Sequence, residues 1–184
     1  KQDLARLNQL LVDSENPELL EEGKKFQDQI AELERQPRSA SNLYPKWVNP
    51  ILEMQAHLDS ELQLLVSKQE VMVGADKKVA CQLQLDVQRL LLYYQTQSFG
   101  SLAIYLDELK AGDPSAIDGR VLDAFGALRH SANPTATSLA RLQAKYEFVR
   151  PHLLDKRLEL VPSGAAYYLG QIGDVLGREA RNLN

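Results

Sequence analysis

The chain has 184 residues, of which 44% are hydrophobic and 25% are charged, and its net charge is −4. This composition is ordinary for a soluble globular protein, and it lacks the basic excess that nucleic-acid binding requires. The single cysteine, Cys81, excludes an internal disulfide and every two-cysteine metal or redox motif. No apolar run approaches the roughly 18 residues of a membrane span.

Prolines that follow Asn or Asp predict the starts of helices. The side chain of Asn or Asp can accept hydrogen bonds from the first turn, and proline needs no N–H at the next position. The pairs are Asn16-Pro17, Asn49-Pro50, Asp113-Pro114 and Asn133-Pro134. The spacing of Leu4, Leu7 and Leu11 predicts a short helix before the first pair. The second helix is predicted from Pro17 to about Arg35.

Residues 36–44 form a predicted loop, and a third helix is predicted from Lys46 or Pro50 to about Val73. Its apolar stripe consists of Trp47, Ile51, Met54, Leu58, Leu62, Leu65 and Met72. Trp47 is interpreted as a core anchor of this helix. Residues 74–76 are the predicted connection to the next helix.

A long central helix is predicted from Lys77 to Ala111, a stretch without proline. Apolar residues recur in it at steps of three and four, namely Leu83, Val87, Leu90, Tyr94, Leu102, Tyr105 and Leu109. A helix of this length is on the order of 50 Å long. We therefore expect an all-α, elongated up-down helical bundle, in which two stacked units share this helix within one module of residues 1–184.

Three further helices are predicted after Gly112. The first carries Ile117, Val121, Phe125 and Leu128 on one face. The second runs from Pro134 to about Asp155, with Leu139, Leu142, Tyr146 and Val149 directed inward, and Pro151 is expected to kink it. The last begins near Pro162 and continues to the end of the chain.

The last helix combines a small-residue face with a large apolar stripe. The small residues are Ala166, Gly170, Gly173, Gly177 and Ala180, and the large ones are Leu169, Ile172, Leu176 and Leu183. Glycine in a helix costs about 1 kcal/mol relative to alanine, so this face indicates close approach of another backbone. The face is interpreted as tight packing against the central helix, or alternatively as a dimer seam or a sliding surface.

Most of the chain resembles a known family of sensor domains. The run Asn16-Pro17-Glu18-Leu19-Leu20, followed by Phe26, Ile30 and Leu33 and then by a loop and a Lys46-Trp47 helix, resembles the PilJ and NarX type of all-helical extracytoplasmic sensor module. The run Leu85-Asp86-Val87-Gln88-Arg89-Leu90 resembles the signature helix of that family, although Asp86 and Val87 replace its usual small hydroxyl residues. Residues 146–172 resemble its final hairpin.

This resemblance implies the ligand-sensing domain of a chemoreceptor or a sensor histidine kinase. It implies a homodimer on the periplasmic face of the inner membrane, with flanking transmembrane helices outside residues 1–184. Such a domain binds a small ligand or a periplasmic binding protein and transmits binding as a small helix displacement. We expect the domain itself to be non-catalytic and to need no cofactor.

The predicted ligand-binding residues lie on two helices. Arg89, with Tyr93 and Tyr94 beside it, offers a planar donor group for a carboxylate or nitrate. Tyr146 and Arg150, one turn apart, could complete the site. The alternative is that both arginines are solvated or paired with acids and that the tyrosines are core residues. The small polar segment Gln97–Ser101 could line a cavity or mark a loop that covers the bundle.

Other functional classes find little support in the residues. His57, His130 and His152 lack ligand-type neighbours, which argues against a metal site, and residues 113–119 lack the alternating acids of a calcium loop. Phosphate-binding loops and nucleophile elbows are absent. The main alternative to a sensor is therefore a non-catalytic helical protein-protein interaction or scaffold module, which would be cytoplasmic or secreted.

Overall fold

The computed structural model describes residues 2–13, 16–37, 39, 44–68, 74–97, 114–130, 136–155 and 161–182. Every regular element in these ranges is an α-helix, which confirms the predicted all-α helical bundle. The helices are α1 (Gln2–Asp13), α2 (Pro17–Arg35), α3 (Tyr44–Lys68), α4 (Ala75–Gln97), α5 (Ser115–His130), α6 (Ala136–Leu154) and α7 (Pro162–Asn182). They divide between two compact units, with α1–α3 in the first and α4–α7 in the second.

The start of α2 is the one that the sequence predicts. The Asn16 Oδ1 atom accepts hydrogen bonds from the backbone N–H groups of Glu18 at 3.1 Å and Leu19 at 3.2 Å, and Pro17 is the first helical residue. These bonds satisfy two of the donors that a helix leaves open at its N-terminus. The predicted end at Arg35 is also confirmed.

Of the two predicted starts of α3, Asn49-Pro50 is wrong, whereas Lys46 lies two residues after the observed start. The helix begins at Tyr44, and Pro50 lies inside it. Pro45 occupies the first turn, where its missing N–H leaves no helical bond unmade, although it follows Tyr44 and not Asn or Asp. Pro50 cannot donate to the carbonyl of Lys46, and α3 continues past this position.

The core of the first unit is built from leucines of all three helices. Leu11, Leu19 and Leu58 are 1%, 3% and 5% exposed, and they pack with the partly buried Leu7, Leu20, Phe26, Met54 and Leu62. Gly23 of α2 faces the Leu11 side chain so closely that a Cβ atom there would collide with Leu11 Cδ1. α1 and α2 therefore meet through a glycine contact. Trp47 is half-buried and contacts the ring of Tyr44, with the ring centroids 6.0 Å apart.

The second unit begins with α4, the described part of the predicted central helix. The predicted continuation to Ala111, with the small polar segment at Ser98 and beyond, lies outside the described residues. α5 begins directly after Pro114, whose carbonyl accepts from the Asp118 N–H at 3.0 Å. The Asn133-Pro134 pair lies outside the described residues, whereas the predicted start of α7 at Pro162 is confirmed.

The helices of the second unit form an antiparallel four-helix arrangement. α4 packs against α5 and α7, and α6 packs against the same two helices. Gln84 lies against Gly177 and Gln88 against Gly173, so α4 and α7 run in opposite directions. Contacts between Lys145 and Gln171 and between Phe148 and Tyr168 show the same for α6 and α7. Four helices thus surround one core.

The core of this unit follows the predicted apolar stripes. Its large fully buried side chains are Leu83, Val87, Leu90 and Tyr94 from α4, Ile117, Val121 and Phe125 from α5, Tyr146 from α6, and Leu169, Ile172 and Leu176 from α7. Steps of three and four residues place each set on one face of its helix. Pro151 lies in the last part of α6, and its carbonyl still accepts from the Asp155 N–H at 2.9 Å.

The glycine face of α7 packs against α4. A Cβ atom on Gly173 would collide with the Gln88 amide, and one on Gly177 would lie 2.8 Å from Gln84 Nε2. The glycines therefore let two glutamine side chains of α4 lie directly over the α7 backbone. This agrees with the predicted packing against the central helix. Gly170, by contrast, has nothing within 4 Å of its Cβ position.

Candidate functional site

A buried carboxylate on α4 joins two arginines. Asp86 is 1% exposed, although it lies on the apolar stripe beside Val87. Both of its oxygens accept from Arg120 of α5, from Nε at 3.0 Å and from Nη2 at 2.8 Å. Gln82 donates to the same carboxylate at 3.2 Å, and Arg89 Nη1 lies 3.8 Å from Oδ1. The predicted ligand-binding residue Arg89 is thus a second, more distant partner of a carboxylate that Arg120 already holds in bidentate geometry.

A second buried carboxylate joins α5 to α6. Asp118 is 4% exposed and accepts two hydrogen bonds of 2.7 Å from Nε and Nη2 of Arg150. The hydroxyl of Tyr146 donates to Asp118 Oδ1, also at 2.7 Å. Tyr146 and Arg150, which the sequence predicts to act together, therefore do meet, and they meet on an acid that sequence reasoning did not select.

The protonation of this second group follows from its contacts. Burial would raise the pKa of Asp118, but the hydrogen bonds from Arg150 and Tyr146 outweigh burial and hold that pKa below its usual value. Burial, and then the Asp118 carboxylate, raise the pKa of Tyr146 far above its usual value. The hydrogen bond to Asp118 raises the pKa of Arg150. At neutral pH the group is a carboxylate with a cationic donor and a neutral hydroxyl donor.

The two carboxylates belong to one ionic cluster, which we define as Asp86, Arg89, Arg120, Asp118, Tyr146 and Arg150. Asp118 and Arg120 lie two residues apart on α5, so they turn to different neighbours, Asp118 to α6 and Arg120 to α4. Asp86 is near enough to Tyr146 to contribute to its raised pKa. The ionic cluster therefore links α4, α5 and α6.

The ionic cluster presents guanidinium groups, not carboxylates, to solvent. The side chains of Arg120 and Arg150 are 38% and 39% exposed, whereas those of Asp86 and Asp118 are 1% and 6% exposed. The solvent-facing groups of the cluster are therefore guanidinium groups, and its negative charge is buried. Chemically, this surface suits an anion that can share or replace the carboxylates as an acceptor.

Tyr93 and Tyr94, the other predicted ligand-binding residues, are core residues of α4. They are 3% and 0% exposed. The Tyr94 hydroxyl accepts a hydrogen bond of 2.8 Å from the backbone N–H of Val161, the residue before α7. Tyr94 therefore ties the beginning of α7 to the end of α4, at a different place from the contacts of Tyr146 and Arg150.

Sequence reasoning missed Asp86, Asp118 and Arg120, although the two acids carried a usable signal. Asp86 lies three residues after Leu83 and four before Leu90, and Asp118 lies three residues before Val121, so both acids fall on buried stripes. A charged residue on such a stripe is rarely buried without a partner. Nothing in the local sequence identifies the partner, because Arg120 and Arg150 are 34 and 32 residues away from their acids.

His57 and His130 each make a separate polar contact. His57 lies 3.3 Å from a carboxylate oxygen of Glu22, and His130 Nδ1 lies 2.6 Å from the carbonyl oxygen of Gly126. Among the described residues, no three His, Cys, Asp or Glu side chains come together as potential metal ligands. Within the same ranges, none of the helices has the length and hydropathy of a membrane span.

Searches against protein-family models, curated proteins and solved structures find no match to this chain. The resemblance to the PilJ and NarX type of sensor module therefore stays a prediction from the residues quoted above.

Proposed function

We propose that this chain is the ligand-sensing module of a transmembrane signalling receptor, that it lies on the extracytoplasmic side as a homodimer, and that it has no catalytic activity of its own. The ligand is a small anion or an amino-acid-like molecule with a carboxylate. It binds at the ionic cluster, and binding shifts α7 along α4. Chemoreceptors and sensor histidine kinases both fit this description.

The observation that carries the proposal is the layered charge of the ionic cluster. Two arginines expose more than a third of their side chains above carboxylates that are almost fully buried. An anion that approaches this surface meets guanidinium groups first, and planar bidentate geometry suits a carboxylate or nitrate. Because the cluster links three helices, a ligand that competes with Asp86 or Asp118 changes how those helices are held together.

The contact between α4 and α7 supports the transmission step. Gln84 and Gln88 lie over the bare backbone at Gly177 and Gly173, so at the glycine face of α7 this seam contains flexible amide side chains. Packed helices tolerate shifts of about 1–2 Å as a switch between discrete arrangements. Tyr94 joins the same two helices at the start of α7, so a change in α4 reaches α7 at both places.

Thermal denaturation with nitrate, inorganic phosphate and L-aspartate tests the ligand class. A ligand at 100 times its dissociation constant stabilises the folded state by about 2.7 kcal/mol. We expect at least one of these anions to raise the melting temperature of the wild type and Arg89→Ala to abolish that rise. Arg141→Ala, which removes an exposed arginine of α6, is the matched control and should retain it.

Two results would contradict this assignment. If none of the three anions raises the melting temperature, the anionic ligand class is wrong. If Arg89→Ala retains the full rise, Arg89 is not part of the binding site. Because Arg89 lies 3.8 Å from the buried Asp86, the folding of each variant is first checked by circular dichroism, and Arg89→Lys serves as a second variant that preserves the charge.

The alternative, a non-catalytic helical protein-protein interaction module, is favoured by a different observation. Phe148 and Tyr167 are 66% and 61% exposed on neighbouring helices of the second unit. Large exposed aromatic side chains are typical of protein interaction surfaces. A sensor module can also use such a surface, so the two functions are compatible.

A further inference from the structure

Asp86 has a second arginine close to its carboxylate. Arg120 of α5 donates to Oδ1 at 2.8 Å and to Oδ2 at 3.0 Å, and Gln82 donates to Oδ2 at 3.2 Å. Arg89 Nη1 lies 3.8 Å from Oδ1. If Arg120 moved away, Oδ2 would keep the bond from Gln82, and a movement of about 1 Å would bring Arg89 to hydrogen-bond distance from Oδ1. Asp86 can therefore exchange one guanidinium donor for another while it stays buried.

The contacts of Asp118 leave it with a weaker replacement. Arg150 donates to both of its oxygens, and Tyr146 donates to Oδ1. Without Arg150, the donor that remains among these contacts is the neutral hydroxyl of Tyr146. A buried charge that loses its ionic partner destabilises the fold strongly. An anion therefore competes more easily with Asp86 for Arg120 than with Asp118 for Arg150.

Solvent exposure separates the roles of the two arginines around Asp86. The side chain of Arg120 is 38% exposed, whereas that of Arg89 is 12% exposed, so an anion from solvent meets Arg120 first. The bond from Arg120 joins α5 to α4, but Arg89 lies on α4 itself, three residues after Asp86. Replacing Arg120 by Arg89 would therefore convert a contact between two helices into a contact within one helix.

We propose that the anionic ligand binds Arg120 and that Arg89 then takes the place of Arg120 on Asp86. This inference rests on the proposed function, and it names the arginine that contacts the ligand and the carboxylate that the ligand replaces. Arg89 is a positioning residue, because it keeps Asp86 paired while Arg120 is engaged by the ligand. The exchange releases α5 from α4 at this point and leaves the bonds between Arg150 and Asp118 in place.

The first test compares melting temperatures without a ligand. The proteins are the wild type, Arg120→Gln, Arg89→Ala and the double variant. Arg120→Gln removes the cation that holds Asp86, so Arg89 becomes its partner. We expect Arg89→Ala to lower the melting temperature by about 3 °C more in the Arg120→Gln protein than in the wild type, because hydrogen bonds to charged groups are strong. In the matched Arg150→Gln background, Arg89→Ala should cause the same loss as in the wild type, because Arg150 holds Asp118.

The second test follows the arginine side-chain Nε–H signals in the NMR spectrum. The probe is whichever of nitrate, inorganic phosphate and L-aspartate raises the melting temperature of the wild type. We expect the Arg120 signal to shift until it saturates and the Arg150 signal to stay in place.

Affinities of variants at position 89 complete this second test. Arg89→Ala should bind the anion about a hundredfold more weakly, because withdrawal of Arg120 would then leave Asp86 buried without a cation. Arg89→Lys keeps a cation beside Asp86 and should recover most of that affinity, which a purely structural role of Arg89 would not predict. Arg141→Ala, the exposed arginine of α6, should bind as the wild type does.

Three results would overturn the inference, and they separate it from the proposed function. Equal losses from Arg89→Ala in the wild-type and Arg120→Gln proteins would exclude the exchange, whether or not an anion binds. A shift of the Arg150 signal with an unchanged Arg120 signal would show that the ligand competes with Asp118, which leaves the proposed function intact. If none of the three anions raises the melting temperature, the proposed function fails and the ligand contact of Arg120 fails with it, while the ligand-free melting temperatures still decide whether Arg89 replaces Arg120.

Discussion

The Asp118 carboxylate is a single residue whose contacts fix both a packing site and a pH dependence. It is buried, and it accepts from Arg150 twice and from Tyr146 once. Hydrogen bonds to a charged group contribute about 1.5–3 kcal/mol each, less where the donor is partly solvated, as Arg150 is. The contribution of this carboxylate to stability is therefore large for one side chain.

We expect Asp118→Asn to lower the free energy of unfolding by about 2 kcal/mol at pH 7, because it removes the charge and half of the acceptor capacity. Asp123→Asn, an exposed position on the same helix, should change it by less than about 0.5 kcal/mol. Urea unfolding of the three proteins measures both values. Equal midpoints for wild type and Asp118→Asn would show that the contact contributes nothing.

The difference in stability between wild type and Asp118→Asn should depend on pH. The pKa of Asp118 in the folded state lies below its ordinary value of 3.8, so the stabilisation is present above about pH 4 and is lost as the pH falls through the folded-state pKa. The difference between wild type and Asp118→Asn should therefore shrink in acid. The raised pKa of Tyr146 gives a pH dependence of stability in the opposite direction. The stabilisation is present at neutral pH and is lost only in strong alkali.

Three helical glycines differ in the space around their Cβ positions, so their alanine variants can be compared. Gly126 and Gly170 have nothing within 4 Å of their Cβ positions, so replacement by alanine should raise stability by about 1 kcal/mol each. Gly23→Ala should instead lower it by about 1 kcal/mol, because the new Cβ atom displaces the buried Leu11 and overpacking outweighs helix propensity. Thermal melts of the three variants compare them. A gain at Gly23 equal to that at Gly170 would refute the close contact.

At the scale of elements, a helix boundary could be predicted where the sequence offers only one candidate start or end. The α2 boundaries follow from the Asn16 cap and the end of the apolar pattern at Arg35. The start of α3 did not follow from Asn49-Pro50, because the helix already begins at Tyr44, where Pro45 fits the first turn without an Asn or Asp before it. Local rules identify a good helix start but do not rank two of them.

The sequence predicted which face of a helix is buried, but it did not predict which residues of another helix that face contacts. The periodicity of α4 correctly placed Leu83, Val87 and Leu90 in the core. It could not show that Arg120 of α5 reaches Asp86, because that pair depends on how two helices are placed in space. The ionic cluster was therefore only partly visible in the sequence, with Arg89, Tyr146 and Arg150 selected and their acids missed.

At the scale of the whole molecule, the chain is two helical units, and the second contains both the ionic cluster and the seam between α4 and α7. The proposed function requires that these two features communicate. An anion at the guanidinium groups of the cluster has to alter α4, and α4 has to carry that change to α7. Coupling of this kind is established only by a measurement at the seam that responds to a ligand at the cluster.

The most direct measurement is disulfide cross-linking between α4 and α7 in a Cys81→Ser background. The pair Gln88→Cys with Gly173→Cys is suitable, because Gln88 Cγ is 4.0 Å from the Cβ position of Gly173 and the exchange removes the Gln88 amide. The matched control in the first unit is Leu11→Cys with Gly23→Cys, where the corresponding distance is 3.7 Å.

We expect the anion that stabilises the wild type to change the rate of cross-linking at positions 88 and 173 and to leave the rate at positions 11 and 23 unchanged. This outcome would show that α7 moves relative to α4 when the ligand binds. An unchanged rate at positions 88 and 173, in protein that the anion demonstrably stabilises, would contradict the central claim that binding is transmitted through α7.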